Sequence, residues 1–206
     1  MRDHLATAAT FLQSECPKLS LSGSSTAVIH SVQFYDHDDA LIVRLCGIVA
    51  SAIDVGNSII IIATEDHRNQ LRMELHKSGV NSDGLETDGR LRLHDSRELL
   101  DQFMVDGLPS RTQFRSMVGA LVRAAKQTSW NAQRGLTVFG EMVSVLWQDG
   151  NHIAAIKLEE LWNELLDDGA FHLHCAYPRH LFGGNRDAML IRTICEGHSH
   201  VIGHAA

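Results

Sequence analysis

The sequence predicts an α/β fold, a mainly parallel sheet with helices on both faces. Three observations carry that reading. Five strand-like segments alternate with helix-like ones, and strands joined through helices need crossover connections, which build parallel sheets. Ile59-Ile60-Ile61-Ile62 is a run of four β-branched residues without polar alternation, as suits a central strand covered on both sides. An apolar fraction of 44% in 206 residues supplies enough side chains for a buried core.

The elements are read in chain order. Residues 1–27 read as an N-terminal extension, with a short helix over Thr7 to Glu15 and a serine-rich linker over Leu19 to Thr26. The domain is expected over residues 28–206. Val28 to Tyr35 is the first strand. Leu41, Ile42, Leu45, Ile48 and Val49 recur at helical spacing after Asp38 and Asp39, so a helix comes next. Asn57 to Ala63 is the second strand, and Thr64 is placed to cap a helix from Glu65 to Lys77. Asn81 to Gly89 reads as a polar loop, and Leu91 to Asp95 as a short strand. Ser96 is the expected cap of a helix to Phe103, Asp106 to Pro109 a turn, and Ser110 the cap of a helix to about Gln127. Leu136 to Glu141 is the next strand. A helix from Met142 to Trp147 breaks at Asp149-Gly150 and resumes from His152 to Leu166. Phe171 to Tyr177 is a further strand, and Asn185 to Glu196 a final helix.

The formal charge of −7 argues against a nucleic-acid partner, because phosphate binding needs a basic face. No apolar run reaches the ~20 residues that span a bilayer. Asp3, His4 and Glu15 stand where a signal peptide would be basic and then apolar. No membrane contact is expected, and a cytoplasmic location is the expectation. Cys16, Cys46, Cys175 and Cys195 form no CxxC pair and read as free thiols in a reducing compartment. Thirteen histidines are scattered along the chain. On a strand His172 and His174 share a face and Cys175 points away, so that segment makes an awkward zinc site. No metal and no cofactor are expected.

In parallel sheets ligands bind beyond the carboxyl ends of the strands. Leu136 to Gly140 is an apolar strand that ends in the carboxylate of Glu141, the way many nucleotide-handling folds present a catalytic or metal-binding acid. Such folds also need a phosphate loop ending in Gly-Lys-Ser/Thr, and the chain has no Gly-Lys dipeptide. Asp36, Asp38 and Asp39 come directly after the first strand and would repel a triphosphate. ATP hydrolysis is therefore not expected. Tyr35, Asp36, Glu141 and Tyr177 are the candidate polar groups of a ligand site, with Met142 and Trp147 as its apolar wall. Glu141 could instead be a structural acid, with Asn163 a possible donor to it. Of the adjacent Glu159 and Glu160, which point about 100° apart on a helix, at most one faces the core. Trp162 joins Leu158, Leu161 and Leu165 in an apolar stripe and reads as a core residue.

Five ordered motifs, His30-Ser31-Val32-Gln33-Phe34-Tyr35-Asp36, Phe103-Met104-Val105-Asp106-Gly107, Phe139-Gly140-Glu141-Met142, Leu158-Glu159-Glu160-Leu161-Trp162-Asn163 and Cys175-Ala176-Tyr177-Pro178, resemble the MEDS family, the methanogen/methylotroph, dichloromethane-regulator sensory domain. The resemblance runs from about His30 to Phe182. It implies a RecA/KaiC-like fold without the ATP-binding motifs, and a sensory role toward small hydrocarbon derivatives. Cys195-Glu196-Gly197-His198-Ser199-His200-Val201 also resembles the segment that trails this domain in sensor kinases. No output module is recognisable, so the chain is expected to act through a partner such as a histidine kinase or to be part of a longer sensor. The leading expectation is a non-enzymatic sensory domain for a small, largely apolar molecule. A divergent nucleotide hydrolase using Glu141 and a metal, and a ligand-free protein-interaction module, are the alternatives.

Overall fold

In the computed structural model, residues 29–130, 135–182 and 187–203 are described. The expected helix and linker before residue 28 lie outside them. The chain runs β1 (His30–Tyr35), α1 (Asp38–Asp54), β2 (Ser58–Ala63), α2 (Glu65–Lys77), α3 (Ser82–Thr87), β3 (Leu91–Asp95), α4 (Ser96–Asp101), β4 (Met104–Val105), β5 (Leu108–Pro109), α5 (Arg111–Gln127), β6 (Leu136–Gly140), α6 (Met142–Gln148), α7 (His152–Asp168), β7 (His172–Pro178), a single 3₁₀ turn (Arg179–Leu181), α8 (Asp187–Glu196) and β8 (His200–Gly203). Six strands form one sheet in the order β3-β2-β6-β7-β1-β8, and every pairing in it is parallel.

The isoleucine run behaves as a two-sided strand must. Ile59 and Ile61 join Tyr35, Phe139 and Ala176 in the core under α1 and α2. Ile60 and Ile62 face the opposite core with Val32, Val138, Leu173, Cys175 and Tyr177, against α4 to α8. Alternate residues on each strand thus feed two cores.

Three local expectations are corrected. The segment after Asn81 is helical, because the Asn81 side chain accepts from Gly84 N–H and starts α3. Residues 104–109 form a two-residue hairpin and not a bare turn. Asp106 (φ 50°) and Gly107 (φ 78°) are both left-handed, the pairing a type I′ turn demands. Strand β8 was not expected, because four residues carry too little pattern to register. Among the caps, Ser110 accepts from Gln113 N–H as expected, whereas Thr64 makes no side-chain cap bond.

The α4 cap is Asp95 and not Ser96. Its carboxylate accepts from Arg97 N–H and Glu98 N–H and from Arg68 at 2.6 Å. Burial opposes ionisation, but these donors hold its pKa below the ordinary value. The Ser96 hydroxyl is buried without a hydrogen-bond partner. Asp95→Ala is expected to cost about 1–2 kcal/mol, while Ser96→Ala should be neutral or slightly stabilising, since it removes an unsatisfied polar group. Urea denaturation of the two variants checks this, and the reverse ranking would restore Ser96 as the cap.

Cys46 and Cys175 are free thiols. Cys195 is disulfide-bonded, contrary to the reading of four free thiols, because separation along the chain says nothing about approach in space. No helix among the described residues is long and apolar enough to cross a membrane.

Candidate functional site

Among the described residues, two buried polar clusters are built on acids, one at the carboxyl edge of the sheet and one deep on the α7 side. The first is built on Glu141. Its backbone N–H continues the sheet by donating to Ile62 O at 2.9 Å, and its carbonyl accepts the first bonds of α6. The side chain is therefore delivered at the end of β6 and is only 2% exposed. One oxygen accepts from Thr64 N–H at 2.9 Å. The other accepts from His67 Nδ1 at 2.8 Å. On the far side of the imidazole, Nε2 lies 3.4 Å from the Asp38 carboxylate, which is exposed. Tyr35 packs edge-on against the His67 ring. Burial, then the Glu141 and Asp38 charges, push its phenol pKa far up, so it stays a neutral hydroxyl.

The result is a relay, Glu141–His67–Asp38, from a buried acid to the surface. Burial lowers the His67 pKa, but the hydrogen bond and charge of Glu141, then Asp38, more than reverse this, and the net shift is upward from 6.5. A group whose folded pKa is raised adds stability that is complete below its unfolded value and lost as pH rises through the folded one. In Glu141→Gln, the amide oxygen can keep Thr64 N–H while the amide N–H₂ donates to an unprotonated Nδ1. The variant is expected to lose about 1–2 kcal/mol below pH 6.5 and less above it, with the His67 pKa falling. Melts across pH and an NMR titration of the imidazole read both. A His67 titration unmoved by the substitution would dissolve the relay.

Other bridges lace the same edge. Arg179 donates to Phe34 O at 3.3 Å and pairs with Asp36 at 3.3 Å. Arg97 and Asp149 form a two-point pair at 2.9 and 3.1 Å. The connection from β1 to α1 is only Asp36 and His37, too short for a loop whose amides wrap a phosphate.

The second cluster centres on Glu159, in α7. Glu160 is exposed and Glu159 only 4% so, as their angular separation requires. Tyr177 donates to one Glu159 oxygen at 2.8 Å. The other oxygen faces His30 Nε2 and His198 Nε2, each at 3.4 Å, and Cys175 Sγ at 3.5 Å. Burial opposes the Glu159 charge, but His198 and then His30 hold its carboxyl well below the ordinary range. Burial, then Glu159, push the Cys175 thiol and Tyr177 phenol up. His174 belongs to neither cluster. It faces the α1 side, bonded to Ser31 at 2.7 Å and Gln33 at 3.2 Å, and burial, with Arg44 nearby, lowers its pKa to about 3.

The six residues expected at one site are thus divided. Tyr35 and Glu141 meet at the carboxyl edge, with Asp36 on its rim. Tyr177 is committed to Glu159 on the other face, where Trp147 packs against it at 5.9 Å, and Met142 is fully buried in that same core. Asn163 does not serve Glu141. It accepts from His30 Nδ1 and donates to Gly197 O. Sequence reasoning missed His67 as the partner of Glu141, since their meeting is spatial, and did not join His30, Glu159, Cys175 and His198. One signal for the latter was present, an acid inside the apolar stripe of α7.

A family model described as "MEthanogen/methylotroph, DcmR Sensory domain" matches residues 29–196. The fold is similar to the crystal structure of a KaiC-like protein from the hyperthermophilic archaeon Pyrococcus horikoshii OT3. The TM-score is 0.52 at 17% identity, over 84% of this chain and 71% of that one. No curated protein matches the chain.

Proposed function

The chain belongs to the MEDS family of sensory domains, and from that premise we propose that it is a non-enzymatic module that binds a small, largely apolar molecule at the carboxyl edge of its sheet and reports to a signalling partner such as a histidine kinase. The observation that carries the reading is the Glu141–His67–Asp38 relay at the edge where parallel sheets bind ligands. Both Glu141 oxygens have protein donors. The carboxylate therefore acts on a ligand through His67, by fixing which imidazole nitrogen carries a proton. Tyr35 and Asp36 border the same edge, whereas Met142, Trp147 and Tyr177 are buried in the core on the opposite face. The polar groups at this edge suit a molecule with one polar handle, since small-ligand sites need only a few placed polar groups.

A hydrolase reading is weaker on the same geometry. A phosphate cradle is lacking in the short β1–α1 connection, and Glu141 is already engaged. The test is a thermal-shift series with short alcohols and halogenated hydrocarbons on wild type, Glu141→Gln and His67→Gln, with native mass spectrometry for bound species. A ligand-induced rise that shrinks in both variants supports the proposal. A large loss of ligand-free stability with an unchanged ligand-induced rise leaves Glu141 as scaffold only. No response to the series, together with tight ATP binding and phosphate release abolished in Glu141→Gln, would overturn the sensory reading.

A further inference from the structure

The cluster around Glu159 has the atoms, spacing and burial of a metal site. His30 Nε2, Glu159 Oε2, Cys175 Sγ and His198 Nε2 all lie within 4.8 Å of one another. Their residues are exposed by 4%, 4%, 0% and 4%. Four separate elements supply them. His30 opens β1, Glu159 lies in α7, Cys175 in the middle of β7, and His198 between α8 and β8.

Geometry separates a metal cage from a plain hydrogen-bonded cluster. Four of the six separations are 3.4, 3.4, 3.5 and 3.5 Å. Charge-assisted N–H···O bonds close to about 2.7–2.9 Å, so the two Glu159–histidine distances are too long for strong ones. His198 Nε2 has no hydrogen-bond partner at all. Zinc bonds of about 2.0–2.3 Å at tetrahedral angles give edges of roughly 3.3–3.6 Å between ligand atoms. The observed spacing matches the edges of such a tetrahedron.

The surrounding bonds fix the ligands in the required form. His198 Nδ1 donates to Ile194 O at 2.6 Å. Asn163 donates to Gly197 O at 3.2 Å, which turns its amide oxygen toward His30 Nδ1 at 2.8 Å. Both imidazoles thus carry Nδ1–H and aim Nε2 inward, as metal-ligating histidines do. Tyr177 occupies the outer oxygen of Glu159 and leaves the inner one to coordinate. A thiolate and a carboxylate neutralise a divalent cation, which removes the cost of burying its charge.

We propose that His30, Glu159, Cys175 and His198 form a four-coordinate structural site for a divalent transition metal of the zinc class. A nitrogen, oxygen and sulfur donor set favours zinc over magnesium or calcium. Four protein ligands leave no open position, so the ion acts as a clamp, fastening the α8–β8 junction to β1, β7 and α7. This site is separate from the carboxyl edge and does not depend on ligand binding there.

The experiment uses the 206-residue chain after chelator treatment. Zn²⁺ titration against a chromophoric competitor is expected to show one tight site, with a rise in melting temperature. Co²⁺ should give the intense visible bands of a tetrahedral ion and a thiolate charge-transfer band in the near ultraviolet. Cys175→Ser should abolish the charge-transfer band, and His198→Asn should weaken Zn²⁺ binding at least ~100-fold. Asn163→Leu, which touches no metal, should weaken it roughly 10- to 100-fold through the His30 ring. His76→Ala, at an exposed position, should change nothing. Melts of the metal-free variants show that each is folded. A weak octahedral Co²⁺ spectrum without a thiolate band in the folded wild-type chain would overturn the proposal. So would tight binding that survives in folded Cys175→Ser and His198→Asn.

Discussion

Trp162→Ala is expected to destabilise the domain by about 3–5 kcal/mol, the range for truncating a fully buried aromatic. Its ring is wholly buried and packs edge-on against Phe114 of α5 at 5.2 Å and Phe171 at 6.5 Å. On the strand side it overlies Gly140, where an added Cβ would lie 3.8–3.9 Å from the indole. The residue therefore joins β6, α5 and α7, and the void it leaves cannot be filled by shifting one element. Trp162→Phe should cost considerably less, because it keeps an aromatic ring and removes an indole N–H that is buried without a partner. Urea unfolding of the two variants decides the matter. A cost below about 1 kcal/mol for the alanine would mean the core collapses around the site and Trp162 is not a keystone.

The glycine next to Glu141 shows how much sequence could reveal. A glycine lets a strand end approach its neighbours, and at Gly140 the indole of Trp162 lies at ordinary van der Waals distance. Strand and helix periods made the α/β class, the buried Ile59–Ile62 strand and the inward turn of one of two adjacent glutamates legible. Short elements were not. Strand β8 and helix α3 have too few residues for a period to emerge, and Asp95 and Ser96 compete for one cap at neighbouring positions. Glu141 could be singled out because strand ends carry ligands in parallel sheets. His67 and Asp38 could not be joined to it, because the link crosses β1, β2 and β6. The Glu159 cluster was less legible still, since its members span residues 30 to 198. The awkwardness of a zinc site within residues 172–175 was a sound local argument. His174 does face away from Cys175, but the other three atoms come from elsewhere in the chain.

Glu159→Ala, measured in chelator-treated protein, is expected to cost about 3–5 kcal/mol, as for removal of one partner from a buried charged network. The substitution leaves the Tyr177 hydroxyl, packed among Phe34, Trp147 and Phe182, without its acceptor and two buried, inward-facing imidazoles without a counter-charge. Glu159→Gln separates these terms. Its amide oxygen can still accept from Tyr177, and its shape is retained, so only the charge facing His30 and His198 is lost. About 1 kcal/mol is expected for it, since only the loose 3.4 Å electrostatic contacts with His30 and His198 are lost. The difference between the two variants thus measures the Tyr177 bond and the void together. Equal costs would show that the charge alone matters. Costs below about 1 kcal/mol for both would mean that the metal-free cluster contributes nothing to folding, and that the acid in the apolar stripe of α7 is retained for what it binds.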